Sequence, residues 1–140
     1  MIRSASTTLE IRTRGRGLYL FTAEVLEWLR KTGVESGLLT LFIQHTSASL
    51  LIQENADPDV QADLERFFAR LVQDGDPLYV HDAEGPDDMP SHVRAALTQT
   101  SLSIPVIDGN PALGTWQGLY VYEHRTAPHL RRVVLSYLGN

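Results

Sequence analysis

The stretch Gln44–Val60, QHTSASLLIQENADPDV, sets an imidazole and three hydroxyls (His45, Thr46, Ser47 and Ser49) where an apolar run turns abruptly polar. Glu54, Asn55 and Asp57 follow at its far end. A polar cluster between apolar elements must satisfy itself or bind a ligand, because each unpaired buried polar group costs about 1–3 kcal/mol. Asp57 needs no ligand: ahead of Pro58 it is a helix N-cap. His45 is different, since neither a turn nor a cap requires imidazole. A second stretch, YVHDAEGPDDMPSH (Tyr79–His92), adds His81 and His92 among Asp82, Glu84, Asp87 and Asp88. Imidazole is the commonest metal ligand and the usual acid or base near neutral pH. His45, His81 and His92 would together make a catalytic-type zinc site with an open fourth position. Their spacing is not a local ligand signature, so the alternative of satisfied, part-buried histidines stays open at this point.

A third stretch, LGTWQGLYVYEHR (Leu113–Arg125), reads as a turn and a strand. On a strand over Gln117–Glu123, Gln117, Leu119, Val121 and Glu123 share one face, while Tyr120, Tyr122 and His124 share the other. Glu123 is the odd member of its face; it pairs with an arginine or orients a histidine of the site. Gly114-Thr115 ahead of Trp116 suits close approach of backbone to a ligand, or equally a strand turn. Trp116 is expected to pack or to form an interface. His124 and His129 fall in a polar, arginine-rich stretch and are expected to be solvated.

Several chemistries are excluded by what the chain contains. It has no cysteine, which removes thiolate nucleophiles, disulfides and cysteine-ligated metals. Ser47 and Ser49 sit in HTSAS with no GxSxG elbow, and no Walker loop or GxGxxG run appears. A formal charge of −5 argues against a nucleic-acid partner. The beginning, MIRSASTTLEIRTRG, has no apolar stretch of the signal-peptide kind, and no segment reaches the length of a membrane span. The expectation is a cytoplasmic protein without membrane partners.

The elements that must position these residues follow from the patterning. Ser6–Arg12 alternates as a half-buried strand, and Thr22 stands where it would cap a helix that Gly33 ends. Gly37–Gln44 and Ser47–Gln53 are strands with a bend near His45. After Pro58, Val60, Leu64, Phe67, Phe68 and Leu71 form a helical stripe. His81–Met89 is a loop, and Asp88 is expected to cap a short helix starting at Pro90. Ser101–Val106, Gln117–Glu123 and Arg132–Leu138 are strands, with a turn at Asp108-Gly109-Asn110. Strands dominate and no regular βαβ alternation appears, so the fold class is α+β: one domain over residues 1–140, mostly antiparallel packed β-sheets with about three helices.

LFIQHTSASLLIQENADPDV, EGPDDMPSH, SLSIPVIDG, LGTWQG and RRVVLSYLG, in this order, resemble the YjbQ-like family, often labelled secondary thiamine-phosphate synthase. The resemblance covers nearly the whole chain. It implies a compact subunit of packed sheets assembled as a homotrimer, and a site gathering His45, His81 and His92 with a metal or an anion. It departs from many relatives in a shorter loop before the last histidine, EGPDDMPSH.

The implied activity joins hydroxymethylpyrimidine diphosphate to thiazole phosphate. Such chemistry would use Asp87 and Asp88 to hold magnesium, and Arg94, Arg125 or Arg132 to meet phosphate. The alternative enzyme is a metal-dependent hydrolase or lyase of a small phosphorylated or carboxylated metabolite, with zinc on the histidines and Glu54 or Glu123 as base or orienter. The third reading is a non-catalytic trimeric metabolite binder. In each, Thr46, Ser47, Ser49, Asn55, Asp88, Thr115 and Gln117 are candidate substrate contacts.

Overall fold

The computed structural model describes residues 1–140. Its elements run β1 (Arg3–Thr13), β2 (Gly17–Leu20), α1 (Thr22–Thr32), β3 (Gly37–Ile43), β4 (Ala48–Glu54), α2 (Pro58–Leu71), α3 (Asp88–Leu97), β5 (Ser101–Ile107), β6 (Asn110–Pro111), β7 (Gln117–Glu123) and β8 (His129–Gly139). Two antiparallel sheets result, one of five strands in the order β1-β8-β3-β5-β6 and one of three in the order β2-β7-β4. This is the expected α+β fold.

Strand alternation builds the core. Leu39, Leu41 and Ile43 of β3, Val133, Leu135 and Tyr137 of β8, and Leu102, Ile104 and Val106 of β5 meet Leu50 of β4 and Leu119 and Val121 of β7. Val25 and Leu29 of α1 enter the same cluster. The other face of β7 is buried as well. There Tyr120 and Tyr122 lie beneath α2, with Gln61 Nε2 donating to Tyr120 Oη at 3.3 Å and Phe68 edge-on to the Tyr122 ring. A strand covered on both faces reads as a near-continuous buried run, as β7 does. The outward face of the five-stranded sheet is left open, with Leu38, Phe42 and Leu138 exposed.

Local expectations hold in part. Asp57 Oδ1 accepts from the Asp59 N–H at 2.9 Å and Pro58 opens α2, as the cap reading requires. Gly33 ends α1 in the left-handed region at φ 69°. Thr22, however, does not cap α1: its hydroxyl accepts the Leu119 N–H at 2.9 Å and ties the helix to β7. The stripe on α2 is only half covered, with Phe67 and Leu71 exposed, because the helix lies across a sheet only three strands wide. Asp88 opens α3 without capping it; its carboxylate is turned to other partners.

Candidate metal centre

The loop after α2 and the first turns of α3 bring His81, Asp88 and His92 together, with one donor atom of each within 4.8 Å of the others. Asp88 and His92 are four residues apart on α3 and therefore share a face. Asp88 Oδ2 lies 2.7 Å from His81 Nε2 and 3.4 Å from His92 Nε2. The carboxylate is buried, while His81 is half exposed, so the cluster opens to solvent on the histidine side. Arg125 anchors it from behind: its Nη1 meets Asp88 Oδ1 and its Nε meets Asp87 Oδ2, each at 2.9 Å. Burial opposes ionisation of both carboxyls, but charge-assisted bonds win. The Thr126 N–H and Arg125 hold Asp87 down to about 2, and the His81 bond with the Arg125 charge holds Asp88 below the usual range.

The donor set fits a cation, and the decisive contact is on the far side of His92. Its Nδ1 lies 3.0 Å from the Thr46 carbonyl oxygen, which only accepts, so Nδ1 carries the ring proton. His92 therefore turns Nε2, the nitrogen free of the backbone, toward Asp88. A proton or a metal ion can stand between that nitrogen and the carboxylate. A histidine whose second nitrogen is fixed by a backbone carbonyl is how proteins orient metal ligands.

His45 stands outside this cluster, and the expected three-histidine set becomes His81, Asp88 and His92. The physical reason is that both His45 nitrogens already face donors. The Arg132 N–H bonds Nε2 at 2.9 Å and the Arg131 guanidinium lies 3.3 Å from Nδ1. Burial, then the Arg131 charge, pushes the imidazole pKa below its ordinary value. It still borders the site. One cavity of about 260 Å³ lies between His45, Thr46, His92, Ala95, Ala96 and Thr100. A second, about 550 Å³, shares His45, Thr46 and Thr100 and reaches Phe42 and Ser47, so the two are lobes of one groove.

Glu123 and the serines are placed differently from the expectation. Glu123 is buried between the sheets, taking Thr13 Oγ1 at 2.5 Å, Arg131 Nε at 2.8 Å and the His124 N–H at 3.0 Å. It reaches the groove only through Arg131, whose Nη2 also bonds Ser47 Oγ at 3.0 Å. Ser49 is fully buried and hydrogen-bonded to His124 Nε2 at 2.8 Å and Thr98 Oγ1 at 2.6 Å. His124 is thereby a correction: it is not solvated but fully buried, and burial followed by the Arg94 charge depresses it to about 3. The β7 alternation, which puts it on the face of Tyr120 and Tyr122, was the signal for this.

Glu54, Asn55, Thr115 and Gln117 do not join the site. In the β4–β7 register Glu54 pairs with Gln117, six positions from the Ala48–Glu123 pair, and six strand steps span about 20 Å. Glu54 and Gln117 serve turns: Glu54 Oε2 accepts the Asp57 N–H at 3.2 Å and Gln117 Oε1 the Gly114 N–H at 2.7 Å. Arg94 is not available to phosphate either. It is buried and committed to Glu65 Oε1 at 2.9 Å.

A family model described as "UPF0047 protein YjbQ-like" matches residues 7–140. A UPF0047 protein of Synechocystis sp. is 49% identical, over 99% of each chain. The UPF0047 protein YjbQ of Escherichia coli O157:H7 is 47% identical, over 94% of this chain and 96% of its own. The crystal structure of a hypothetical protein from Aeropyrum pernix K1 superposes with a TM-score of 0.85 at 30% identity, over 99% of each chain.

Proposed function

The chain belongs to the UPF0047 family of YjbQ-like proteins, and from that premise we propose that it is a small-metabolite enzyme of the metal-dependent hydrolase or lyase class. His81, Asp88 and His92 hold the ion, and two imidazoles with one carboxylate suit zinc better than magnesium. The observation that carries the reading is the convergence of donor atoms from His81, Asp88 and His92, with the Thr46 carbonyl holding His92 Nδ1 so that Nε2 is the nitrogen turned to the cluster. A divalent ion there supplies Lewis-acid polarisation of a substrate oxygen.

The chain's own residues do the rest. Arg125 keeps Asp88 ionised and in place. Thr46, Ser47 and Thr100 offer hydroxyls along the groove, and Phe42, Ala95 and Ala96 offer apolar contact. His45, held at Nε2 by the Arg132 N–H, borders both lobes and shapes the groove wall.

The condensation of two phosphorylated precursors to thiamine phosphate is the weaker reading, because Arg94 and Arg125 are already paired with Glu65, Asp87 and Asp88. The assembly in this proposal is a homotrimer, supported by the open apolar face around Leu38, Phe42 and Leu138. A cytoplasmic setting belongs to the same proposal and rests on the absence of cysteine. No helix is long and apolar enough to cross a membrane.

Metal analysis of protein purified without chelators tests the centre. Close to one zinc per chain is expected, lost in His92→Ala and in Asp88→Asn and kept in His45→Ala. Metal-free wild type, or His92→Ala that stays loaded, refutes it. A hydrolysis screen on small esters and phosphate monoesters then separates an enzyme from a binder.

A further inference from the structure

The largest cavity of the molecule, about 660 Å³, lies where the end of β1 meets the start of β8 and is bordered by none of the residues that line the groove beside His45 and His92. Arg12 and Arg14 stand at its rim on either side of Thr13, and His129 lies across from Thr13 in the strand register. Of the nine other arginines, six, at positions 16, 66, 94, 125, 131 and 132, are matched to carboxylates. Arg12 and Arg14 are not among them, and no carboxylate lines the cavity. Glu123 lies behind its wall, 3.8 Å from His129 Nδ1, but is already engaged by Arg131 and Thr13. On a chain of net charge −5, two unmatched guanidiniums on one cleft form a local positive field.

The cleft is also braced. Tyr19 Oη donates to the Gly15 carbonyl and accepts the Arg14 N–H, both at 2.8 Å, so the phenol ring forms a wall and its hydroxyl fixes the backbone that carries Arg14. His129 Nδ1 donates to the Ala127 carbonyl at 2.8 Å, which leaves Nε2 uncommitted. Pro128 and Leu130 complete an apolar side. The volume lies within the range of small-molecule sites, about 300–1,000 Å³.

We infer that this cleft binds an organic oxyanion, a phosphate or carboxylate carried on a compact, flat apolar body. Arg12 and Arg14 grip the oxyanion through planar, charge-assisted hydrogen bonds, and the body lies against Tyr19, Pro128 and Leu130. The inference does not depend on a metal at His81, Asp88 and His92.

Titrating the purified protein with phenyl phosphate, benzoate, inorganic phosphate and benzyl alcohol at low salt, followed by calorimetry and by amide shifts in two-dimensional NMR, tests it. Phenyl phosphate or benzoate is expected to bind, to shift the amides of Arg14, Tyr19 and His129, and to bind more tightly than inorganic phosphate or benzyl alcohol. The tighter of the two aromatic anions identifies the oxyanion. Arg12→Gln combined with Arg14→Gln should weaken binding at least tenfold, about 1.4 kcal/mol, with an unchanged unfolding midpoint showing that the fold is intact. Binding that survives the double substitution, shifts that map to the His45 groove, or benzyl alcohol matching both anions would overturn the inference.

Discussion

Lowering the pH from about 8 to about 5 should remove roughly 2 kcal/mol of folding stability through His124 alone. The side chain is fully buried, its Nε2 is bonded to Ser49, and its Nδ1 has no partner. Burial and the neighbouring Arg94 depress its pKa from 6.5 to about 3, so the folded protein keeps it neutral throughout this range. The unfolded chain takes up the proton below 6.5. Stability from this group is therefore complete above about pH 6.5 and is lost as pH falls toward about 3, because protons favour the unfolded state. At about pH 5 the gap to the unfolded value is roughly 1.5 units, and at 1.36 kcal/mol per unit the loss is about 2 kcal/mol. The result is insensitive to how far below 5 the folded value lies.

Urea unfolding of wild type and His124→Gln at both pH values is the assay. With a slope near 2 kcal/mol per molar urea, the wild-type midpoint should fall about 1 M further than that of the variant. His45, also depressed by burial and Arg131, adds a loss of the same sign, but it is present in both proteins and cancels in the comparison. Glutamine costs stability at every pH, so the pH dependence is the quantity to read. Parallel behaviour of the two proteins between pH 8 and 5 would refute a neutral, buried imidazole at this position.

Gly139→Ala should destabilise by about 1–3 kcal/mol in thermal or urea unfolding, because the added carbon would lie 2.1 Å from the Ser36 carbonyl oxygen and 2.7 Å from the Gly37 Cα. Glu65→Ala should cost about 3 kcal/mol, since it leaves the guanidinium of Arg94 buried without its carboxylate; replacing Arg94 with Met at the same time should recover part of that loss. Asp57→Ala should cost about 1 kcal/mol by freeing the Asp59 N–H at the start of α2, with Asp57→Ser close to wild type.

Features that depend on neighbours along the chain are legible from residue order alone. Alternation over Gln117–Glu123 placed Leu119 and Val121 toward the core and the tyrosines opposite, as β7 does. Asp57-Pro58 marked the start of α2, and Gly33 the end of α1, because caps and left-handed glycines act within a turn or two of the backbone. His81 and His92 stood out as candidate ligands from their type and their acidic surroundings, and both lie in the candidate cluster.

Which groups face one another follows from packing between elements far apart in the chain. Asp88 reads in sequence as a cap and as a candidate metal or substrate contact; the approach of Arg125 from beyond β7 turns its carboxylate toward two histidines. His45 looked like a ligand, but β8 presents the Arg132 N–H and the Arg131 guanidinium to its two nitrogens. His124 looked solvated in its polar stretch, yet Ser49 of β4 bonds its Nε2 and Arg94 of α3 lies near enough to depress its pKa. In each case the partner lies dozens of residues away, and the side chain's ionisation and reach are set by that partner's charge and by burial. Local pattern marks which residues are chemically able; packing across β7, β8 and α3 determines which of them meet.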